Sequence, residues 1–194
     1  MPHTRRLTST TAAAALAAIV LVAALWLAVD RLAGGGDGPE LVGGEAIVVE
    51  VVDGDTLVAD VGGDRETIRL LGIDTPETHH PTKPVECYGA EASARLAELA
   101  PRGATIRLER DVEARDHYGR LLVYVFVGAD GGDDATSVNQ VLVTEGYAVA
   151  LPVEPNRALR NRLAAAEHEA RSHHLGLWGA CGGPGVAVDA VTGR

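Results

Sequence analysis

Aromatic side chains are scarce in this chain of 194 residues, which holds one Phe, four Tyr and two Trp. A core of stacked rings is therefore excluded, and Val, Leu, Ile and Ala must fill the interior. The hydrophobic share of 46% is enough for that. Cationic side chains are also short: 17 Lys and Arg stand against 27 Asp and Glu, for a net charge of −10. Such a surface repels polyanions at long range and, taken alone, counts against a nucleic-acid partner. Only two cysteines occur, Cys87 and Cys181, and neither has a His or second Cys at ligand spacing, which argues against zinc. No internal repeat is visible. Between Glu45 and Cys181 lie about 135 residues, the size of one compact domain.

One long apolar run is present. Residues Ala12 to Val29 carry no polar side chain, with Arg5 and Arg6 before them and Asp30 and Arg31 after. As a helix this run spans roughly 27 Å, close to the hydrocarbon thickness of a bilayer. Three readings stand: an uncleaved membrane anchor, a cleaved secretory signal, or a buried helix of a soluble protein. The basic pair ahead of it places the following domain outside the cytoplasm, either membrane-anchored or secreted. The organisation expected is thus a basic segment (1–11), an apolar segment (12–29), a Gly-rich linker (30–44), a folded domain (45–181) and a flexible tail (182–194). An export signal with an even cysteine count suggests a Cys87–Cys181 disulfide; two unrelated buried thiols are the alternative.

Within the domain, Ala46–Val52 and Thr56–Val61 are β-branched runs separated by Asp53-Gly54-Asp55, a hairpin signal. A third strand is expected over Glu66–Ile73, and two more over Ala104–Glu109 and Leu121–Val127. Helices are expected over Gly89–Ala100, Val138–Thr144 and Arg157–His173, the last capped by Asn156. Five short strands and three helices suggest a small barrel with helices packed outside it, as in a five-stranded OB-fold of the α+β class, preceded here by one N-terminal apolar helix.

Three clusters carry chemistry: Asp53-Gly54-Asp55, Arg69 through Asp74-Thr75-Pro76-Glu77, and Asp116-His117-Tyr118-Gly119-Arg120. Asp55 opens one strand and Asp74 ends another, so pairing of those strands brings both to one rim. Two ionised carboxylates held together need a cation between them. Calcium suits them, with the Thr75 carbonyl and waters completing an oxygen shell. Glu77, three residues beyond Asp74, is placed to orient or deprotonate a water. Arg69 and Arg120 offer the planar, permanently charged donors that a phosphodiester requires. Each cluster alone is an ordinary turn or strand end. Their joint order is specific.

The strings VVDGDT, RLLGIDTPET, YGAEAS, DHYGR and LGLW resemble the thermonuclease (staphylococcal nuclease) family over about Ala46 to Trp178. The resemblance implies an OB barrel with three helices that hydrolyses phosphodiester bonds of DNA and RNA, usually with calcium, leaving a 3′-phosphate. Carried over by motif, it makes Asp55, Asp74 and the Thr75 carbonyl metal ligands. It makes Arg69, Glu77 and Arg120 catalytic, and Tyr118 and Lys83 substrate contacts. The chain departs from the best-known family member, in which aromatic residues follow the second helix, by reading Ala150-Leu151-Pro152-Val153 there, and the Lys of the well-known DKYGR form is His117. Weaker substrate binding is implied. Two further readings are a noncatalytic OB module that binds nucleic acid or protein, and a calcium-bound phosphoesterase acting on something shorter than a polymer.

Overall fold

The structure, a computed structural model, describes residues 44–78, 84–128 and 136–192. The expectations for the apolar segment Ala12–Val29, for the linker before Gly44 and for Lys83 lie outside the described residues. Among the described residues no helix is long and apolar enough to cross a membrane.

The first strands follow from alternation. In β1 (Gly44–Val51) Ala46 and Val48 point inward, and in β2 (Thr56–Val61) Leu57 and Ala59 do so, as a period of two requires. They pair antiparallel around the Asp53-Gly54-Asp55 turn. Strand β3 (Asp64–Leu70) pairs antiparallel with β2 in an unbroken register from Val61↔Asp64 to Thr56↔Arg69, burying Ile68 and Leu70. The third strand expected as one run is two: Gly72, at φ +76°, breaks it, and a separate β4 (Ile73–Asp74) follows. Strand β5 (Thr105–Arg115) runs longer than its apolar stretch, pairing with the next strand over Arg107–Arg110 and, after a register shift, again at Arg115. Strand β6 (Leu121–Val127) pairs antiparallel with β5 and parallel with β3, in register Ile68↔Leu121, Arg69↔Leu122 and Leu70↔Val123. With β1 against β5, the order β3-β2-β1-β5-β6 returns to β3 and closes a five-stranded barrel, the OB-like arrangement expected. Two residues, β7 (Thr136–Ser137), extend β6, and β8 (Val149–Ala150) pairs with β4.

Three helices pack on this barrel: α1 (Gly89–Leu99), α2 (Val138–Thr144) and α3 (Arg160–Ser172). Leu96, Leu142 and Leu163 are the large side chains they bury. Ser137 caps α2, its hydroxyl accepting from the Gln140 N–H at 3.3 Å. The expected Asn156 cap of α3 is overturned. That helix begins after Leu159 without a side-chain cap, and the Asn156 side-chain oxygen Oδ1 instead accepts from the Glu113 N–H at 2.8 Å. Two short helices follow, α4 (Leu177–Ala180) and α5 (Val188–Thr192). Between them Cys181 is bonded to Cys87 with Cα atoms 6.0 Å apart, so the disulfide reading holds. Within the stretch expected as a tail, the Cys87 N–H donates to Val186 O and the Val188 N–H to Val85 O, a short antiparallel ladder.

Candidate active site

The site is assembled where β1 turns into β2 and where β3 gives way to β4. Gly54 lets the Asp53-Gly54-Asp55 turn lie flat against two neighbours, since a Cβ there would stand 2.8 Å from Ala92 Cβ and from Thr75 Oγ1. Asp55 is thereby pressed inward, to 6% exposure. Its Oδ2 accepts from the Thr75 N–H at 3.0 Å and the Thr75 hydroxyl at 3.1 Å, and its Oδ1 accepts from the Thr56 hydroxyl. Burial pushes its pKa up to about 6. Arg69 and the Thr75 N–H pull the other way, while Asp53 and Asp74 add to the rise.

Arg69 is the hub. Thr56 lies opposite it in the β2–β3 register, which sets its guanidinium beside Asp55. Its Nη1 donates to the carbonyls of Leu70 and Ile73, both at 2.9 Å, and its Nη2 lies 3.1 Å from Asp55 Oδ2 and 3.1 Å from Asp74 Oδ1. The two carboxylates therefore converge on a single nitrogen, but not by the expected pairing of their strands: Asp74 lies beyond the Gly72 break in β4, which pairs with β8, and Arg69 at the end of β3 bridges it to Asp55. They differ in environment, Asp55 being buried and Asp74 exposed. Thr75 adjoins both. Glu77 follows on the same segment, half-buried, behind the buried Pro76.

The parallel β3–β6 pairing brings the other arginine to this rim, because Arg120 immediately precedes Leu121, the partner of Ile68. Asp116 organises its turn: Oδ1 accepts from the N–H groups of Tyr118 and Arg120, both at 3.0 Å, and Oδ2 from Arg120 Nε at 2.7 Å. Burial raises the Asp116 carboxyl, but these bonds outweigh it and hold the pKa below the ordinary value. Arg115 braces the same turn, donating to Gly119 O and gripping Glu66 with both terminal nitrogens. Arg69 and Arg120 line one cleft of about 380 Å³, together with His117, Glu113, Leu151 and Val153. Tyr118 stands 73% exposed on the turn, its ring centroid 5.4 Å from the Arg120 guanidinium carbon. Lys83 lies outside the described residues.

One supporting residue, Asn139, carries no sequence signal strong enough to select it. Asn139 is wholly buried within α2, accepting from the Val125 N–H at 2.9 Å and donating to Leu71 O at 2.8 Å, so it ties β6 to the turn after Arg69. Asp116 had one available signal, the Asp-x-x-Gly spacing of a turn. His117 lines the cleft itself.

Among the described residues no three His, Cys, Asp or Glu side chains gather as a metal cluster. What converges is two carboxylates beside a main-chain carbonyl-bearing threonine, all oxygen donors. That set fits a hard cation that takes the rest of its shell from water, and a cation there would offset the cost of ionising buried Asp55.

The family model described as Staphylococcal nuclease homologue matches residues 67–180 of this chain. That span includes Arg69, Asp74, Thr75, Glu77 and Arg120, and Asp55 precedes it. The chain is 37% identical over 149 residues to a thermonuclease of Staphylococcus intermedius, covering 74% of this chain and 84% of that protein. It is 37% identical over 134 residues to a thermonuclease of Staphylococcus hyicus, covering 68% and 73%. It is also 41% identical over 133 residues to endonuclease YncB of Bacillus subtilis, covering 68% and 60%.

Proposed function

The chain belongs to the staphylococcal nuclease homologue family, and from that premise we propose that it is a calcium-dependent nuclease hydrolysing phosphodiester bonds of DNA or RNA. One observation carries the reading: Arg69 and Arg120 line the same cleft, and at its edge two carboxylates meet on Arg69 Nη2. Both arginines are fixed through part of their donor set, Arg69 by two carbonyls and Arg120 by Asp116. Donors held this way need no reorganisation as charge builds on the equatorial oxygens of the phosphate. Water attacks phosphorus, Glu77 takes the proton from the attacking water, the bond to the leaving ester oxygen breaks, and that oxygen takes a proton from solvent to leave as an alcohol. Asp55, Asp74 and the Thr75 carbonyl would hold calcium, which supplies concentrated positive charge beside the phosphate.

The cleft supports a thinner grip on the nucleotide. Where the best-known family member carries aromatics, Leu151 and Val153 are 41% and 39% exposed. Each missing base–aromatic contact removes roughly 1–3 kcal/mol of binding. The proposal includes a domain on the extracytoplasmic side. The Cys87–Cys181 bridge supports that, because disulfides persist in oxidising compartments.

The test incubates the protein with single-stranded DNA or RNA, in calcium or in EGTA. Cleavage in calcium, lost in EGTA and reduced roughly 100-fold or more in Arg69→Ala, is the expected result. A folded protein that cleaves neither polymer at any calcium concentration would replace the nuclease with a binding module.

A further inference from the structure

Glu77 is joined to a residue nine positions along the chain through two hydrogen bonds. The Glu86 N–H donates to Glu77 O at 2.8 Å, and the Glu77 N–H donates to the Glu86 carboxylate, Oε2, at 3.2 Å. The pair closes a ring around the peptide units of Glu77, so that Glu86 sets where the Glu77 side chain leaves the backbone. A second contact tightens the same segment. The start of α1 presses on it so closely that a Cβ at Gly89 would stand 2.8 Å from Pro76 O and 3.4 Å from Glu77 O.

Glu86 is itself well anchored. Its neighbours on both sides, Val85 and Cys87, bond to Val188 and Val186. Cys87 is bridged covalently to Cys181 at the end of α4. The segment that grips Glu77 is thus fixed on its far edge by main-chain bonds and at its end by a disulfide. Its half-buried carboxylate also keeps an N–H satisfied where water has limited access.

We infer that Glu86 is a positioning residue for the reaction: its carboxylate and N–H hold the backbone of Glu77 so that the Glu77 carboxylate meets the attacking water. The inference rests on the role given to Glu77 above. A proton acceptor displaced by about 1 Å loses on the order of 100-fold in rate while substrate binding elsewhere is untouched. The effect of Glu86 therefore falls on kcat and not on KM.

The experiment measures kcat and KM of the full chain with calcium and a DNA polymer, for wild type, Glu86→Ala, Glu86→Met, Glu86→Gln, Glu77→Ala and the Glu77→Ala/Glu86→Ala double variant. Glu86→Ala and Glu86→Met each lower kcat roughly tenfold or more at unchanged KM. Met keeps the bulk without the acceptor, so it gives the comparison in a variant whose packing is preserved. Glu86→Gln, which keeps an acceptor for the Glu77 N–H, restores kcat to within about threefold of wild type. In the Glu77→Ala background, Glu86→Ala lowers kcat no further. Wild-type kcat in Glu86→Ala or Glu86→Met, an equal loss in Glu86→Gln, or an undiminished loss in the Glu77→Ala background overturns the inference alone. Wild-type turnover in Glu77→Ala overturns the role of Glu77, and the inference with it.

Discussion

Asp55 is nearly shut off from water, and its carboxyl is pushed up to about 6. Its folded pKa thus lies above the unfolded value of 3.8. The stability it contributes is fully present below that unfolded value and is lost as pH rises through about 6. At neutral pH, keeping it ionised in the calcium-free fold costs on the order of 2–3 kcal/mol. Asp55→Asn removes the charge and keeps an acceptor for the Thr75 N–H. In calcium-free buffer the variant should melt several degrees above wild type at pH 7 and show no such gain at pH 4, while its turnover falls. Thermal melts at the two pH values check this, and a lower melting temperature at pH 7 would mean that the pairing with Arg69 outweighs burial. Stability and function pull apart at this residue, as they do where a site gathers like charges for a ligand.

At the scale of elements, the site depends on how closely a turn, a strand end and a helix approach one another. Gly54 is the point of contact: a side chain there must displace Thr75 or Ala92. Gly54→Ala should destabilise the fold by about 1–3 kcal/mol. It should also lower turnover more than that loss explains, because Thr75 holds Asp55 Oδ2 through two bonds; denaturant unfolding and kcat measured on the folded fraction separate the effects. The strands behind this arrangement were legible in the sequence, since β-branched alternation and the Asp-Gly-Asp turn are local signals. The convergence of Asp55 and Asp74 was expected from pairing of their strands, but the structure reaches it by another route, since Asp74 lies in β4 against β8 and Arg69 joins the two. The start of α3 was not legible. Asn156, a fitting cap by type, is claimed by Glu113, 43 residues away in sequence. Asn139 reaches 68 residues back to Leu71. Bonds of that span leave no periodicity or spacing to read.

For the whole molecule, the excess of acids weighed against a polyanion partner, and the local clusters outweighed it only in combination. Net charge is a sum over the surface, whereas the cleft gathers Arg69 and Arg120 by strand register. The Cys87–Cys181 bridge spans 94 residues, which enclose α1, β5, β6, α2 and α3. Closing a loop of that length stabilises the fold by about 4–5 kcal/mol in the chain-entropy model. Reduction, or Cys87→Ser with Cys181→Ser, should lower the melting temperature by at least several degrees. An unchanged transition with two thiols free to titrate would show that the bridge adds no stability.

The parallel seam between β3 and β6 has a temporal consequence. Arg69 and Arg120 meet only when this pairing, between segments far apart in the chain, is made. A nascent chain that has emerged through β5 already carries Asp55, Asp74 and Glu77 but has no second arginine and no closed rim. Until β6 is made, the cleft that Arg69 and Arg120 line together does not exist. Assembly of the two-arginine cleft is thus delayed until the last barrel strand is laid down.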